Sequence, residues 1–218
     1  GGHAAGEVAS RTAIATLVDL VLRTPDIIMR LDEHYTEEAL LQFERRFQEI
    51  AKVLREKAKA DVRLAGMGTT MTLACSAGSD LIVAHVGDSR AYLLRERRLQ
   101  RLTSDQTMAQ YLADSGMISH DEIESHSMRH VLTGALSTGD GPTDVDLTAQ
   151  RLLNGDQVLL CTDGLFDMVS DTSITALLQQ PGSTSEVCQR LVTAALEAGG
   201  RDNVTVVLAR FRIGKEGT

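Results

Sequence analysis

Between Gly6 and Arg23 apolar side chains recur at helical spacing, at Val8, Ala9, Ala13, Leu17, Leu20 and Val21, and Thr24-Pro25 supplies a stop. A longer amphipathic pattern runs from Thr36 to Ala60. Thr36 is a plausible N-cap there, and the stripe is Leu40, Phe43, Phe47, Ile50, Leu54 and Ala58. From Gly66 the period shortens to that of strands. Residues 70–76, 81–86, 91–95 and 98–103 are short strand-like runs separated by turns such as Ala77-Gly78-Ser79-Asp80, which predicts an antiparallel meander without βαβ crossovers.

Residues 104–148 break that rhythm. A short helix over 106–115 ends at Gly116, Ser119 and Glu122 have capping-box spacing, and polar loops follow through Gly139-Asp140-Gly141-Pro142. This reads as an insertion that covers or borders a site. Beyond it come an apolar strand ending at Cys161, helices over 171–180 and 185–198, and a last strand over 204–211. No repeat, low-complexity tract or long linker interrupts the order. Residues 1–213 therefore read as one domain, with 214–218 as a tail.

Charge narrows the function classes. A formal charge of −8, 3% aromatic residues and no Trp leave neither the basic patch nor the stacking platform of a nucleic-acid binder. Cys75, Cys161 and Cys188 are far apart in apolar surroundings, so they match neither a zinc spacing nor a disulfide framework and are expected to be reduced thiols of a cytoplasmic protein. No run approaches the roughly 20 apolar residues of a membrane span.

The candidate chemistry sits where apolar runs end. Gln157-Val158-Leu159-Leu160 leads into Cys161-Thr162-Asp163-Gly164, Val83-Ala84-His85-Val86 into Gly87-Asp88-Ser89-Arg90, and Gly200-Arg201-Asp202-Asn203 opens onto Val204-Thr205-Val206. Three aspartates at strand ends, with no Cys or His interleaved, point to an all-oxygen site for hard divalent ions. Asp163 alone would be unremarkable as an Asp-Gly turn former. The bland reading of Asp88 is that it caps or braces the turn before Arg90, and Asp105 could approach the cluster or cap a helix near Thr103 and Ser104. His85 reads as a satisfied sheet residue. His126, Arg129 and His130 cluster in the insertion, where solvated loop residues are the ordinary reading.

Taken in order, Gly66-Met67-Gly68-Thr69-Thr70, His85-Val86-Gly87-Asp88-Ser89-Arg90, Leu102-Thr103-Ser104-Asp105, Thr162-Asp163-Gly164-Leu165 and Gly200-Arg201-Asp202-Asn203 resemble successive motifs of the metal-dependent protein phosphatases of type 2C (PPM), in their bacterial form. The resemblance covers nearly the whole chain. It implies an α+β fold, a four-layer α-β-β-α sandwich of two antiparallel sheets flanked by helix pairs. It implies hydrolysis of phosphoserine and phosphothreonine in proteins by two Mn2+ or Mg2+ ions, with substrates supplied by a serine/threonine kinase and a monomeric enzyme. By the resemblance Asp163 and Asp202 are metal ligands, with Gly164 and Asn203 shaping the site beside them. Asp88 joins Asp163 at a third, weaker metal, and the insertion is the flap, through which His126 and Arg129 would meet substrate.

Gly1-Gly2-His3 resembles the tail of the family motif Asp-Gly-x-Gly-Gly-His, whose aspartate bridges both metals, and His3 is expected in a structural turn there. The resemblance thus implies that this chain lacks the bridging Asp, the opening strands, a further acidic ligand and a phosphate-gripping arginine. Weak metal binding and poor activity are expected of it alone. Two other readings share the fold: a degenerate module that binds phosphoproteins without hydrolysis, and a regulator phosphatase acting on anti-sigma antagonists.

Overall fold

Both long apolar stripes fold into one helix pair. The structure, a computed structural model, describes residues 3–23, 37–137, 139 and 141–213. Helix α1 is His3–Arg23 and α2 is Glu37–Ala60. Small Ala9 and Ala13 on α1 face Phe43, Phe47, Ile50 and Leu54 of α2, and this layer closes over Ile82, Ala84 and Val86 of a strand beneath. The expected N-cap Thr36 and the stop at Thr24-Pro25 lie outside the described residues, as do Gly1 and Gly2. His3, expected in a turn, is the first residue of α1. The strong helix former Ala at positions 4 and 5 favours carrying the helix back that far.

The strands are β1 (Gly68–Thr69), β2 (Met71–Ala77), β3 (Asp80–Val86), β4 (Arg90–Arg95) and β5 (Arg98–Arg101). They do not make one meander. Sheet order is β2-β3-β7 in one sheet and β5-β4-β8-β9 in the other, where β7 is Asp146–Arg151, β8 is Gln157–Cys161 and β9 is Val206–Arg210. The chain therefore passes from one sheet to the other at Gly87-Asp88-Ser89. Gly87 has φ +111°, and a Cβ there would stand 2.3 Å from Thr70 Cγ2, so the crossing needs glycine.

Strand β7 spans the end of the insertion and the residues just beyond it, where the sequence reading placed no strand. It pairs antiparallel with β3, Asp80 opposite Arg151 through His85 opposite Asp146. A two-residue strand β6 (Leu136–Ser137) pairs with β1. Within the insertion, Thr107 caps α3 (Met108–Asp114), and the expected Ser119–Glu122 capping box opens a 3-10 turn over His120–Ser125.

Alternation sorts the strand residues into layers. Leu81 and Val83 of β3 meet Ala91, Leu93 and Val158 between the sheets, while Tyr92, Leu94, Leu159 and Cys161 point outward. There they meet α5 (Asp171–Leu178) and α6 (Thr184–Glu197) through Ile174, Leu178, Val187, Leu191 and Ala195. The result is an α+β sandwich of four layers, helix pair, sheet, sheet and helix pair. β3 is buried almost throughout because both its faces are covered. No helix among the described residues is long and apolar enough to cross a membrane.

His85 points between the sheets, on the Leu81 and Val83 face, and is 1% exposed. Its Nδ1 lies 2.9 Å from the Thr72 hydroxyl and its Nε2 lies 3.1 Å from the Ser104 carbonyl. Burial holds the imidazole below its ordinary pKa of 6.5, against the raising influence of Asp146 and Asp105. Because the folded pKa is the lower one, this group's stabilisation is present above about pH 6.5 and is lost as pH falls below it. His85→Gln is expected to flatten the fall of the thermal midpoint between about pH 7 and pH 5. A slope unchanged from wild type would remove His85 from that acid sensitivity.

Candidate metal centre

Asp163 stands at the first position of α4 (Asp163–Phe166), a single turn that starts where β8 ends, with Thr162 as its N-cap. Thr162 fastens this corner to the turn before β9. Its amide donates to the Thr205 carbonyl at 3.1 Å, its hydroxyl donates to the Asn203 carbonyl at 3.3 Å, and the Thr205 amide donates back to that hydroxyl at 3.0 Å. A Cβ on Gly164 would sit 2.3 Å from the Asn203 oxygen, so the two segments touch only because residue 164 has no side chain. Asp163 and Asp202, 39 positions apart in sequence, are thereby brought to the rim of one cavity of about 300 Å³, which Gly164, Arg129, His130, Asp167 and Arg201 also border.

Asp163 borders a second cavity of about 340 Å³ on its other side, together with Asp88, Arg90, Asp105, Phe166 and Asp167. Asp88 comes from the crossing between the sheets and Asp163 from the end of β8, so both sheets contribute. The carboxyls disturb one another. Burial and then the charge of Asp202 push the Asp163 carboxyl above the usual range, opposed by the Gly164 N–H that donates to its Oδ1 at 2.9 Å. Burial and then the charge of Asp163 push Asp88 up to about 6.

The remaining candidates divide. Asp202 Oδ1 accepts the Asn203 N–H at 2.7 Å, which stiffens the turn. Arg129 and His130 reach across from the insertion to Asp167, each 3.6 Å from its Oδ2. His126 borders neither cavity and instead accepts the Met128 N–H at 3.2 Å. Asp105 caps no helix. It takes the Arg90 guanidinium through Nε and Nη2 at 2.6–3.2 Å, and Arg90 lies 3.6 Å over the Phe166 ring. Within its turn the Asp88 carboxyl also meets its own backbone amide, which favours its charge. The Cys161 thiol, buried behind the centre, is pushed up to about 12 by burial, so it supplies no thiolate.

The donor set suits a hard divalent cation: converging carboxylates raised by burial and by one another are the groups that a cation between them would relieve. Among the described residues no three Cys, His or carboxylate side chains already stand close enough to hold an ion by themselves. Asp88 and Asp202 share no cavity; of the three candidate aspartates Asp163 borders both, and Asp167 borders both as well.

Comparison with known proteins places this arrangement. The profile of Protein phosphatase 2C matches residues 1–200. The serine/threonine protein phosphatase PstP of Mycobacterium tuberculosis is 40% identical over 211 residues, 96% of this chain, and the chain spans 38% of that relative's length. The serine/threonine phosphatase stp of Listeria welshimeri is 35% identical over 217 residues, covering 100% of this chain and 83% of the relative. A crystal structure of the PstP catalytic domain in complex with two manganese ions superposes with a TM-score of 0.78 at 38% identity, over 95% of this chain and 82% of that one. The motif order, the paired sheets and the profile over most of the chain agree: the chain belongs to the protein phosphatase 2C family.

Proposed function

We propose that this chain is a phosphatase domain that removes phosphate from phosphoserine and phosphothreonine in proteins, with Mn2+ or Mg2+ held by Asp163, Asp202 and Asp88. The observation that carries the reading is the place of Asp163. It lies on a rigid strand end, between two cavities, with its carboxyl raised by burial and by Asp202. Bound hard cations supply charge neutralisation for the phosphate ester and acidify a water molecule.

The chain's own groups do the rest. Asp163 and Asp202 would offer oxygens on one side and Asp163 and Asp88 on the other, the latter pair to the weaker site. Other positions fall to water and further oxygen donors. Arg129 and His130 project from the insertion over Asp167 and line the route by which a phosphorylated side chain enters. The insertion thus acts as a flap, with Arg129 meeting substrate and His126 turned aside. Its substrates are products of serine/threonine kinases, and the domain works as a monomer. No Ser-His or Cys-His nucleophile is required.

The test is phosphate release from a phosphothreonine peptide with Mn2+, with Mg2+, and with chelator. Release that depends on the divalent ion is expected, at the low rate anticipated for this chain alone. Peptide binding without release would replace this reading with the phosphoprotein-binding module, and release unaffected by chelator would overturn the metal assignment.

A further inference from the structure

Gln106, an amide at the start of the insertion, has every polar group engaged, with Gly87, with Thr133-Gly134 and with the entry to β7. Its backbone N–H donates to the Gly87 carbonyl at 2.7 Å, and its side-chain Oε1 accepts the Gly87 N–H at 2.9 Å. Its own carbonyl accepts the amides of Thr133 at 2.8 Å and Gly134 at 3.4 Å. Its Nε2 donates to Asp146 Oδ2 at 3.1 Å and to the Asp144 carbonyl at 3.4 Å, at the entry to β7. The side chain is enclosed as well as bonded: a Cβ on Gly134 would stand 1.9 Å from Oε1 and 2.7 Å from Cδ, so glycine at 134 leaves the space the amide occupies.

We propose that Gln106 is a positioning residue that couples the placement of the flap to the cation-binding carboxylate of Asp88. The geometry gives the reason. The Gly87 carbonyl belongs to the same peptide plane as the Asp88 N–H, so a bond on that oxygen fixes where the Asp88 Cα begins. The bond to the Gly87 N–H fixes the plane before it, and with both planes held the left-handed Gly87 has little freedom to redirect Asp88. The same residue holds both ends of the insertion, its start through the Gly87 bonds and its return through Thr133, Gly134, Asp144 and Asp146. A shift of the flap's return strands therefore pulls on Gln106, and Gln106 pulls on the turn that carries Asp88. No other residue type of this length carries both an acceptor for Gly87 and a donor for Asp146. Glu would set a carboxylate against the Asp146 carboxylate, and Met would keep the length and lose both bonds.

The inference rests on Asp88 being a cation ligand, as proposed above, and the experiment separates the two. Wild type, Gln106→Met, Gln106→Glu, Gly134→Ala and Asp88→Asn are compared by amide hydrogen exchange in chelator and by calorimetric titration with Mn2+. Gln106→Met is expected to speed exchange together in segments 86–90 and 131–135. It should also raise the Mn2+ concentration needed to fill the weaker, Asp88-dependent phase by roughly 10-fold, the scale of a lost outer hydrogen-bond partner. Asp88→Asn should remove that phase and leave exchange at 131–135 as in wild type. Gly134→Ala, which displaces the amide without altering residue 106, should reproduce Gln106→Met, and it or Gln106→Glu replaces that variant if Met fails to fold. A weaker Mn2+ phase unchanged in the Gln106 and Gly134 variants but lost in Asp88→Asn overturns the coupling and leaves Asp88 a ligand. A titration unchanged by Asp88→Asn overturns the ligand assignment and the coupling with it.

Discussion

Asp163→Asn is expected to abolish the rise in thermal midpoint that Mn2+ gives the wild-type protein, and to make the protein more stable than wild type in chelator. The two effects have one cause. Without a cation, the Asp163 carboxylate is held partly out of water beside Asp202 and Asp167, and the Gly164 N–H and, to a smaller degree, His130 favour its charge. An amide of the same shape keeps an oxygen for that N–H and removes the repulsion, so the empty site becomes less costly. With cation present the balance reverses, because a ligand bound only by the folded state stabilises it by about 2.7 kcal/mol at 100 times its Kd. For a domain of this size that amounts to an upward shift of about 5–10 °C, absent in the variant. Differential scanning fluorimetry across a Mn2+ series with circular dichroism as a folding control reads both. A variant that gains the wild-type shift would take Asp163 out of the centre.

Asp105→Ala is expected to cost roughly 3–5 kcal/mol of folding stability, which urea unfolding measures. Arg90 and Asp105 are a nearly enclosed pair, their side chains 13% and 8% exposed, in contact at 2.6 Å. Burial alone would weaken the guanidinium's charge, but the hydrogen bonds and charge of Asp105 hold its pKa above the ordinary value. Truncating Asp105 leaves that cation against Phe166 with the Tyr92 hydroxyl at 3.0 Å, itself committed to Asp171 at 3.1 Å. Arg101, 3.5 Å from the same carboxylate, loses its partner as well. The double variant Arg90→Met with Asp105→Leu should recover most of the loss, since an unpaired buried charge costs more than an absent pair. A loss below about 1 kcal/mol for Asp105→Ala would place the pair in the range of solvent-screened surface bridges.

Much of this architecture is legible in the chain's periodicity, and the exceptions have identifiable physical causes. The stripe Phe43, Phe47, Ile50 and Leu54 buries as its spacing predicts, since a helix face needs no knowledge of its partner. The split into two sheets is not legible. β3 and β4 are each buried on both faces, so alternation disappears, and Gly87-Asp88-Ser89 has the same length as a hairpin turn. Strand β7 did carry a signal: Val145, Leu147 and Ala149 alternate with Asp146, Thr148 and Gln150, but the polar residues made the stretch resemble its loop.

Strand-end grammar singled out Asp163, Asp202 and Asp88 as candidates without showing that, of these three, Asp163 borders both cavities, or that Asp167 borders both as well. Arg129 borders both cavities and His126, three residues earlier, borders neither. Asp105 was ambiguous until its partner was known to lie 15 residues back, at the start of the adjacent strand β4. Gln106 had no sequence signal at all, since an amide in a polar segment does not reveal how many backbones it meets.

The guanidiniums bordering the larger cavity both face carboxylates already, Arg90 with Asp105 and Arg129 with Asp167. A phosphate dianion arriving there before any divalent ion meets aspartates and little spare positive charge. Were divalent ions held there as proposed, they would supply the positive charge the cavity lacks, and phosphate would be held more weakly in chelator than with Mn2+ present.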